Sequence, residues 1–513
     1  MPDGPLYDVA VVGFGAVGNA LAVLAAQAGR RVVVLERWPH PYRLPRAVHF
    51  DHEAGRILAA CGIGADLETI TEPGDVYEWR NGQGATLLRF GRSGPGFSGW
   101  PQSSMFHQPA LEELLAARAE ACPTLDLRRG AEVTGLDQDD EEVTVHVGDR
   151  GGEGSQVRAR YAVGCDGAAS TVRHLVGSPV CDLGFSHDWL IVDVVLHDDR
   201  VFDPINVQIC DPARPSTAVS GGPGRRRWEF MRLPSEDVDD LAGEAAAWRL
   251  LAPWNVTPDH ATLERHAVYT FQARYAQRWR TGRVLLAGDA AHQMPPFAGQ
   301  GLCSGLGDAA NLAWKLNLVL GGGAGDDLLD TYQGERLPHV QMVTDFSMEL
   351  GHVICLPDRE RAAERDEAMI AAFDPAVLTP TPELPGLSGG LVHSGSPAGG
   401  QLFIQGHVTT EGRRLLFDDA VGVGWRLVAR AATDVRLGDD VAAWFASLGG
   451  RVVTVGPGGD LGDPDGTYGA WLADHDVRAA LQRPDFHLYG TAGEAGEASR
   501  LVADLRAALA DLS

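Results

Sequence analysis

The chain opens with apolar runs of strand length separated by helical stretches. LYDVAVV over 6–12 reads as a buried strand, and GFGAVG follows at 13–18. A helix of small residues then runs to about Ala28, Gly29 stops it, and RVVVLER over 31–37 is the next strand. Strand, glycine-rich turn, helix and strand in that span predict a βαβ unit. PALEELLAARAEA over 109–121 has apolar residues three and four apart behind Pro109, the pattern of a helix. EVTGLDQDDEEVTVHV over 132–147 predicts a hairpin with an acidic tip, and YAVGCDG over 161–167 a further strand and turn.

From about 181 to 275 the pattern changes to short strands, among them WLIVDVVL (189–196) and RRRWEFMRL (225–233), divided by turn clusters such as GGPG. This predicts a mostly antiparallel sheet inserted into the α/β unit. The α/β character returns with RVLLAGDAAH and a long helix through DAANLAWKLNLVL. Pro, Gly and Ser gather over 374–400, which reads as a linker. Beyond it come a strand (425–430), a helix (439–449), a strand (451–455), a hairpin (477–490) and an amphipathic helix (499–512), a thioredoxin-like order. The last cysteine is Cys355, so dithiol chemistry is excluded there and packing or dimerisation is the expected role.

At 513 residues the chain is too long for one core, and two or three domains are expected. Lys and Arg number 43 against 69 Asp and Glu, a net charge of −26 that repels nucleic acid and anionic membranes. The seven cysteines are scattered without a CxxC, which predicts no disulfide framework or metal site and suits a cytoplasmic setting. No stretch approaches the roughly 18 apolar residues of a membrane span, and no basic leader precedes the first apolar run.

Three segments carry candidate chemistry. In the first, Gly13 permits a tight turn, Gly15 lets a pyrophosphate approach the backbone, and Gly18 lets helix and strand pack closely. Glu36 ends the second strand, where a carboxylate accepts hydrogen bonds from a ribose diol; the dinucleotide is left open between FAD and NAD. In the second, GCDGAASTVR over 164–173, a strand ends at Asp166 and a Ser/Thr pair opens a helix. In the third, GDAAH over 288–292 ends another strand, and Pro295, Pro296, Gly299 and Gly301 lead into a helix. Asp289 can bind ribityl or ribose hydroxyls, and the helix N–H groups can face the pyrimidine end of a flavin. His292 reads as a brace for the turn. Singly these are turns; in this order they point to a flavin.

The three motifs resemble those of the class A flavoprotein aromatic monooxygenases, the family of 4-hydroxybenzoate hydroxylase and phenol hydroxylase. The likeness continues through PRAVHFDHEAGRIL (45–58), QPALEELL (108–115), RRWEFM (226–231) and LLDTYQGER (328–336), over nearly the whole chain. It implies an α/β fold with an FAD-binding Rossmann-like domain of the 4-hydroxybenzoate hydroxylase type in two parts (1–180 and 276–373), an inserted antiparallel substrate sheet (181–275), a linker (374–400) and a thioredoxin-like C-terminal domain (401–513). The implied activity uses FAD with NADH or NADPH to insert one oxygen atom of O2 into a phenolic substrate such as a 3-hydroxyphenylpropanoid acid, through a flavin C4a-hydroperoxide. The alternatives are the same chemistry on a larger polyketide-type aromatic, and a flavin reductase or dehydrogenase. The partners implied are the small aromatic and O2, without nucleic acid or membrane, and a homodimer is left open.

The cofactor-binding set implied by the resemblance is Gly13, Gly15, Ala16, Val17, Gly18, Glu36, Arg37, Arg46, Gln108, Val133, Asp166, Gly288, Asp289, Pro296, Gly299, Gly301 and Leu302. His49 and Asp51 are the candidates to deprotonate the phenol, since histidine has a suitable pKa; the other reading makes both a buttress for the cofactor. Glu229 and Tyr269 are candidates to line the pocket's sheet side. The chain departs from one member of the family that it resembles in the flavin-facing loop, where that member carries Trp-Gln near Phe297-Ala298, Tyr-Asn at Leu302-Cys303 and Arg at Gly307. Those changes bear on the substrate more than on the reaction.

Overall fold

The computed structural model describes residues 4–148, 154–380, 386–494 and 496–512. At its centre Leu6–Val12 lies parallel between Val32–Glu36 and Ser155–Gly164, with Leu125–Arg129 and Val284–Leu286 outside them. Val9 to Val12 and Val32 to Leu35 are all buried, the unbroken apolar run of strands covered on both faces. The helix Ala16–Gln27 packs on the long helix Gly301–Leu320, which is buried along nearly its whole length. The predicted hairpin is Glu132–Gln138 with Val143–Gly148, joined antiparallel to Ser155–Gly164. The helix predicted over 109–121 spans Gln108–Glu120.

The second sheet runs in the order His292–Gln293, Ala261–Ala276, Val180–Leu196, Arg225–Met231, Ser216–Ser220, Asn206–Cys210, Val76–Asn81, Thr86–Gly91 and Thr379–Pro380. Two of these strands, Val76–Asn81 and Thr86–Gly91, come from within the stretch 1–180, and the first joins parallel to Asn206–Cys210. The sheet therefore reaches past the boundary at 181, because strand pairing is non-local and a change in composition marks only its contiguous part. Thr379–Pro380, within the stretch read as linker, pairs with Thr86–Gly91, and residues 381–385 of that stretch lie outside the described residues. Alternation divides the faces. Val192, Ala218 and Trp228 face a core with Leu241 and Leu251, while Glu229 and its cross-strand neighbour Thr217 share the opposite face.

In the C-terminal module, Arg426–Ala429 and Arg451–Thr454 pair parallel around the helix Asp439–Ser447. Ala479–Gln482 and Leu488–Ala492 add antiparallel, and Glu497–Asp511 covers the sheet, giving a βαβ unit followed by ββα. Among the described residues no helix is long and apolar enough to cross a membrane.

Candidate active site

Between the two sheets runs a cleft in two joined parts. The outer part, about 530 Å³, is bounded by Gly13, Gly15, Glu36, Arg37, Val133 and Asp166 among others. Gly13 has φ +99°, and a Cβ there would sit 2.5 Å from the Cys165 carbonyl oxygen. A Cβ at Gly18 would sit 2.2 Å from the Gly13 carbonyl oxygen, whereas at Gly15 it would meet nothing within 4 Å. Gly13 and Gly18 thus close the turn, and Gly15 leaves its backbone open to a diphosphate. The helix that starts at Ala16 has no side-chain cap from Gly15; Glu112 accepts from the Ala16 N–H, and the positive end of the helix remains directed at the cleft. Glu36 is held rigidly: Phe14 N donates to Oε2 at 2.8 Å and Trp38 N to Oε1 at 2.9 Å. Its carboxylate keeps lone pairs for a ribose diol.

The Asp166 carboxylate turns into its own helix, accepting from Ser170 Oγ at 2.5 Å and Val172 N at 3.0 Å, which leaves Gly167 at the cleft wall. Gln108 holds the Arg46 loop: its Oε1 accepts from Arg46 N at 3.1 Å and Ala47 N at 2.6 Å. Asp289 faces the cleft, and the protein around it pushes its carboxyl above the ordinary range against the pull of His292 and Arg46. Behind it, Asp308 accepts from Gly288 N at 3.0 Å, His292 Nε2 at 2.6 Å and Arg336 Nε at 2.9 Å. Burial works to raise Asp308, but His292 and Arg336 hold it below the ordinary carboxylate value. His292 is therefore a brace.

The inner part is a cavity of about 370 Å³. Its cofactor side is built from Ala16, Val17, Asp289, Gly299, Gly301 and Leu302, and its sheet side includes Tyr77, Thr217, Glu229 and Phe271. Gly15, Arg46 and Gly167 line both parts, so the cleft is continuous from Glu36 to Phe271. That continuity, with an anion-binding turn at one end and at the other a slot whose apolar walls also carry charged side chains, fits FAD. The first turn of Gly301–Leu320 has no acidic residue and no side-chain cap, so its N–H groups offer positive potential to the slot.

His49 lies in this cavity, on the short strand His49–Phe50. Its Nδ1 is 3.2 Å from the Gly299 carbonyl oxygen, which fixes Nδ1–H as donor and leaves Nε2 as the acceptor in the neutral ring. Nε2 is buried with no partner. Burial and the nearby Arg92 guanidinium push the imidazole down to about 4. Asp51 is placed differently. It caps the helix His52–Leu58, accepting from Ala54 N at 3.0 Å, and does not line the cavity. Burial would raise its carboxyl, but His52, the Ala54 N–H and His49 keep it below the ordinary value.

Of the residues singled out from the sequence, Gly18, Gly288 and Asp51 stand behind the cleft and the rest of the cofactor set lines it. Glu229 lines the cavity; Tyr269 is half-exposed in a separate groove beside Arg265. Arg92, Tyr77 and Arg129 were missed. Arg129 is the cross-strand neighbour of Glu36, a pairing that two parallel strands could have suggested. Nothing local marks Arg92.

The family described as FAD binding domain matches residues 6–347, and the one described as HcaD C-terminal domain matches residues 400–508. A probable NADH-specific resorcinol 4-hydroxylase of Rhodococcus jostii is 41% identical over 512 residues, covering 98% of this chain and 95% of that protein. A 3-(3-hydroxy-phenyl)propionate/3-hydroxycinnamic acid hydroxylase of Escherichia coli is 33% identical over 513 residues, covering 94% of this chain and 92% of that protein. Among solved structures, aklavinone-11 hydroxylase in ternary complex with FAD and aklavinone matches with a TM-score of 0.79 at 26% identity, covering 100% of both chains.

Proposed function

The chain belongs to the FAD-binding family of flavoprotein aromatic monooxygenases, and we propose that it hydroxylates a small, single-ring phenol at the expense of NADH, with His49 as the group that takes the phenolic proton. The observation that carries this reading is the unpartnered, buried Nε2 of His49 in a cavity bounded by the flavin-facing loop and the sheet. The volume of about 370 Å³ has to accommodate the flavin ring as well as the substrate, which favours one ring over a polyketide-type aromatic. NADH is favoured over NADPH by the 41% identity to a relative named as NADH-specific. All seven cysteines are free, in keeping with a reducing, cytoplasmic setting.

When bound, FAD would supply the redox chemistry by which one atom of O2 enters the ring and the other leaves as water, the balance being phenol, NADH, H⁺ and O2 to diol, NAD⁺ and H2O. The chain's own groups would do the rest. Glu36, the Gly13–Gly18 turn, Arg46 and Asp289 would hold the cofactor, and the uncapped N-terminus of Gly301–Leu320 would stabilise negative charge at its pyrimidine end. Phe271, Phe297 and Pro296 wall the reacting side and would keep water from it once cofactor and substrate fill the cavity. Neutral His49, anchored through Nδ1–H on Gly299, presents Nε2 to the phenolic proton, whose loss makes the ring electron-rich; held at about 4, the imidazole passes that proton on and does not keep it.

The test is NADH oxidation and O2 uptake by the flavin-loaded protein across a panel of phenols, with ring-hydroxylated product quantified. Phenol-stimulated turnover with product is expected, and His49→Gln should lower kcat/KM by roughly a hundred- to ten-thousand-fold with flavin retained. Turnover without O2 uptake or product would sink the hydroxylase reading; an unaltered His49→Gln would sink only the role of His49.

A further inference from the structure

The buried arginines among the described residues are held either by a carboxylate or, as Arg226, Arg265 and Arg426 are, by backbone carbonyls. Arg56, Arg227, Arg336 and Arg483 meet a carboxylate at 2.6 to 2.9 Å. Arg92 meets neither. It follows the strand Thr86–Gly91 into the cavity wall, with its guanidinium 5.9 Å from the ring centroids of both Tyr77 and Phe90 and its Nε buried without a partner. Burial depresses its pKa, and the groups that act on it electrostatically are Tyr77, Asp51 and Cys303. An enclosed cation left this way is costly unless a ligand brings the anion.

On the sheet side stands the converse group. Glu229 is buried on Arg225–Met231 and lines the same cavity. Its nearest cation, Arg227, is 3.8 Å away, and that guanidinium is occupied by Asp193 at 2.6 and 3.0 Å and by the carbonyls of Pro45 and Arg46. With Arg46, Glu112 and Asp289 on the cofactor side, the sheet side of the cavity presents Arg92 and Glu229 without a close ion-pair partner of their own, and Tyr77 is within electrostatic reach of both. A phenolic acid serves this pair badly. Its carboxylate would take Arg92, leaving the reacting oxygen without a counter-ion and Glu229 without a donor.

We propose that the cavity selects an uncharged aromatic ring bearing two hydroxyl groups, Arg92 receiving the hydroxyl oxygen that ionises and Glu229 accepting a hydrogen bond from the other hydroxyl. The inference rests on the hydroxylase reading above. In the step that Arg92 assists, the phenolic O–H bond breaks, the proton forms an N–H bond at Nε2 of His49, and the electron pair stays on the oxygen beside the guanidinium. No electron is transferred. The positive charge that disfavours an imidazolium at His49 also stabilises the phenolate, so Arg92 sets the acidity of the bound phenol and His49 only carries its proton. Both residues are then specificity-determining: a site with a buried acceptor rejects a ring that lacks the matching donor.

Two measurements on the flavin-loaded protein test this. The first titrates bound 4-nitrophenol by the visible absorbance of its phenolate, as a difference from the ligand-free protein. Ionisation is expected at lower pH when bound than in solution; Arg92→Gln should shift it back by on the order of tenfold in proton concentration or more, and Arg92→Lys should restore most of the effect. The second compares kcat/KM for resorcinol and 3-(3-hydroxyphenyl)propionate. Resorcinol should be preferred, and Glu229→Gln should raise its KM by on the order of tenfold while narrowing the preference. A preference for the propionate, with Arg92→Gln raising its KM and leaving the nitrophenol titration unmoved, would make Arg92 a carboxylate clamp and overturn the proposal. If no phenol stimulates NADH oxidation, the hydroxylase reading is what fails, and the titration still reports whether Arg92 receives a phenolate.

Discussion

At the scale of single residues, two titrations in the cavity separate roles that look alike. His49 is held at about 4 and Glu229 is raised to about 6, the latter by burial and Asp193 against the pull of Arg227 and Arg265. His49 is therefore already in its basic form wherever the protein works, and an acid limb in kcat/KM near pH 6 should belong to Glu229, which accepts a hydroxyl more strongly as the carboxylate than as the neutral acid. Glu229→Gln should move that limb to lower pH, as a pH–rate profile would show. For stability the same group has a definite sign. Its folded pKa lies above the ordinary 4.5, so the fold favours the protonated form; that contribution is full below 4.5 and is lost as pH rises through about 6. Glu229→Gln is accordingly expected to be more stable than the parent above pH 6 and to lose the advantage below 4.5, checked by denaturant unfolding at both ends. His49 and Asp51 sit two positions apart and were equal candidates as a base; what divides them is that Asp51 accepts from Ala54 N as a helix cap while His49 keeps a bare nitrogen. The sequence pattern carries the pair but not the direction in which each side chain turns.

At the scale of elements, the turn at Gly288 depends on two helices. Asp308 on Gly301–Leu320 ties Gly288 N and His292 to Arg336 on Thr331–Ile354, and Arg336 also donates to the Ser304 carbonyl at 3.0 Å. Gly307 makes the room: a Cβ there would lie 2.6 Å from Arg336 Nη2 and 2.9 Å from its Cζ. Gly307→Ala should push the guanidinium off Asp308 at a cost of about 1–3 kcal/mol, and loosen the turn that carries Asp289. The expected signature is a lower temperature of flavin release, followed by fluorescence, alongside a lower melting temperature; a variant that loses stability yet holds its flavin as firmly would disconnect the brace from the cofactor. The strand–turn–helix motifs around Gly13, Asp166 and Gly288 were legible because each is local and its residue types are fixed by backbone geometry. Tyr77 and Arg92 were not, because the Tyr77 strand joins the sheet through parallel pairing with Asn206–Cys210 and carries along Thr86–Gly91, which Arg92 follows, and no local pattern announces a partner so distant in sequence.

At the scale of the whole molecule, the C-terminal module is joined to the flavin domain by charges that neither could bury alone. Glu335 on Thr331–Ile354 meets Lys315 at 2.8 Å and Arg483 at 2.6 Å, Arg483 meets Asp485 at 2.6 Å, and the four side chains are between 0% and 2% exposed. Asn311 and Trp314, on the helix whose first turn faces the cavity, donate to Asp485 at 2.9 and 3.0 Å. A second clasp joins Arg56, at the end of the helix capped by Asp51, to Asp418 at 2.6 Å, to Gln482 at 3.3 Å and to the Phe403 carbonyl. Both clasps thus grip elements that position the cofactor side of the cavity, which gives a module without cysteines a role in holding the flavin site rigid. Arg483→Met leaves the Glu335 and Asp485 carboxylates enclosed with only Lys315 beside the first and His487 beside the second, a loss of about 3–5 kcal/mol. If the module and the flavin domain form one cooperative unit, calorimetric unfolding and flavin fluorescence in that variant should fall together at a lower temperature. Two separated transitions, with flavin released only in the second, would show instead that the module is an independent passenger and that the helix Gly301–Leu320 keeps its place without it.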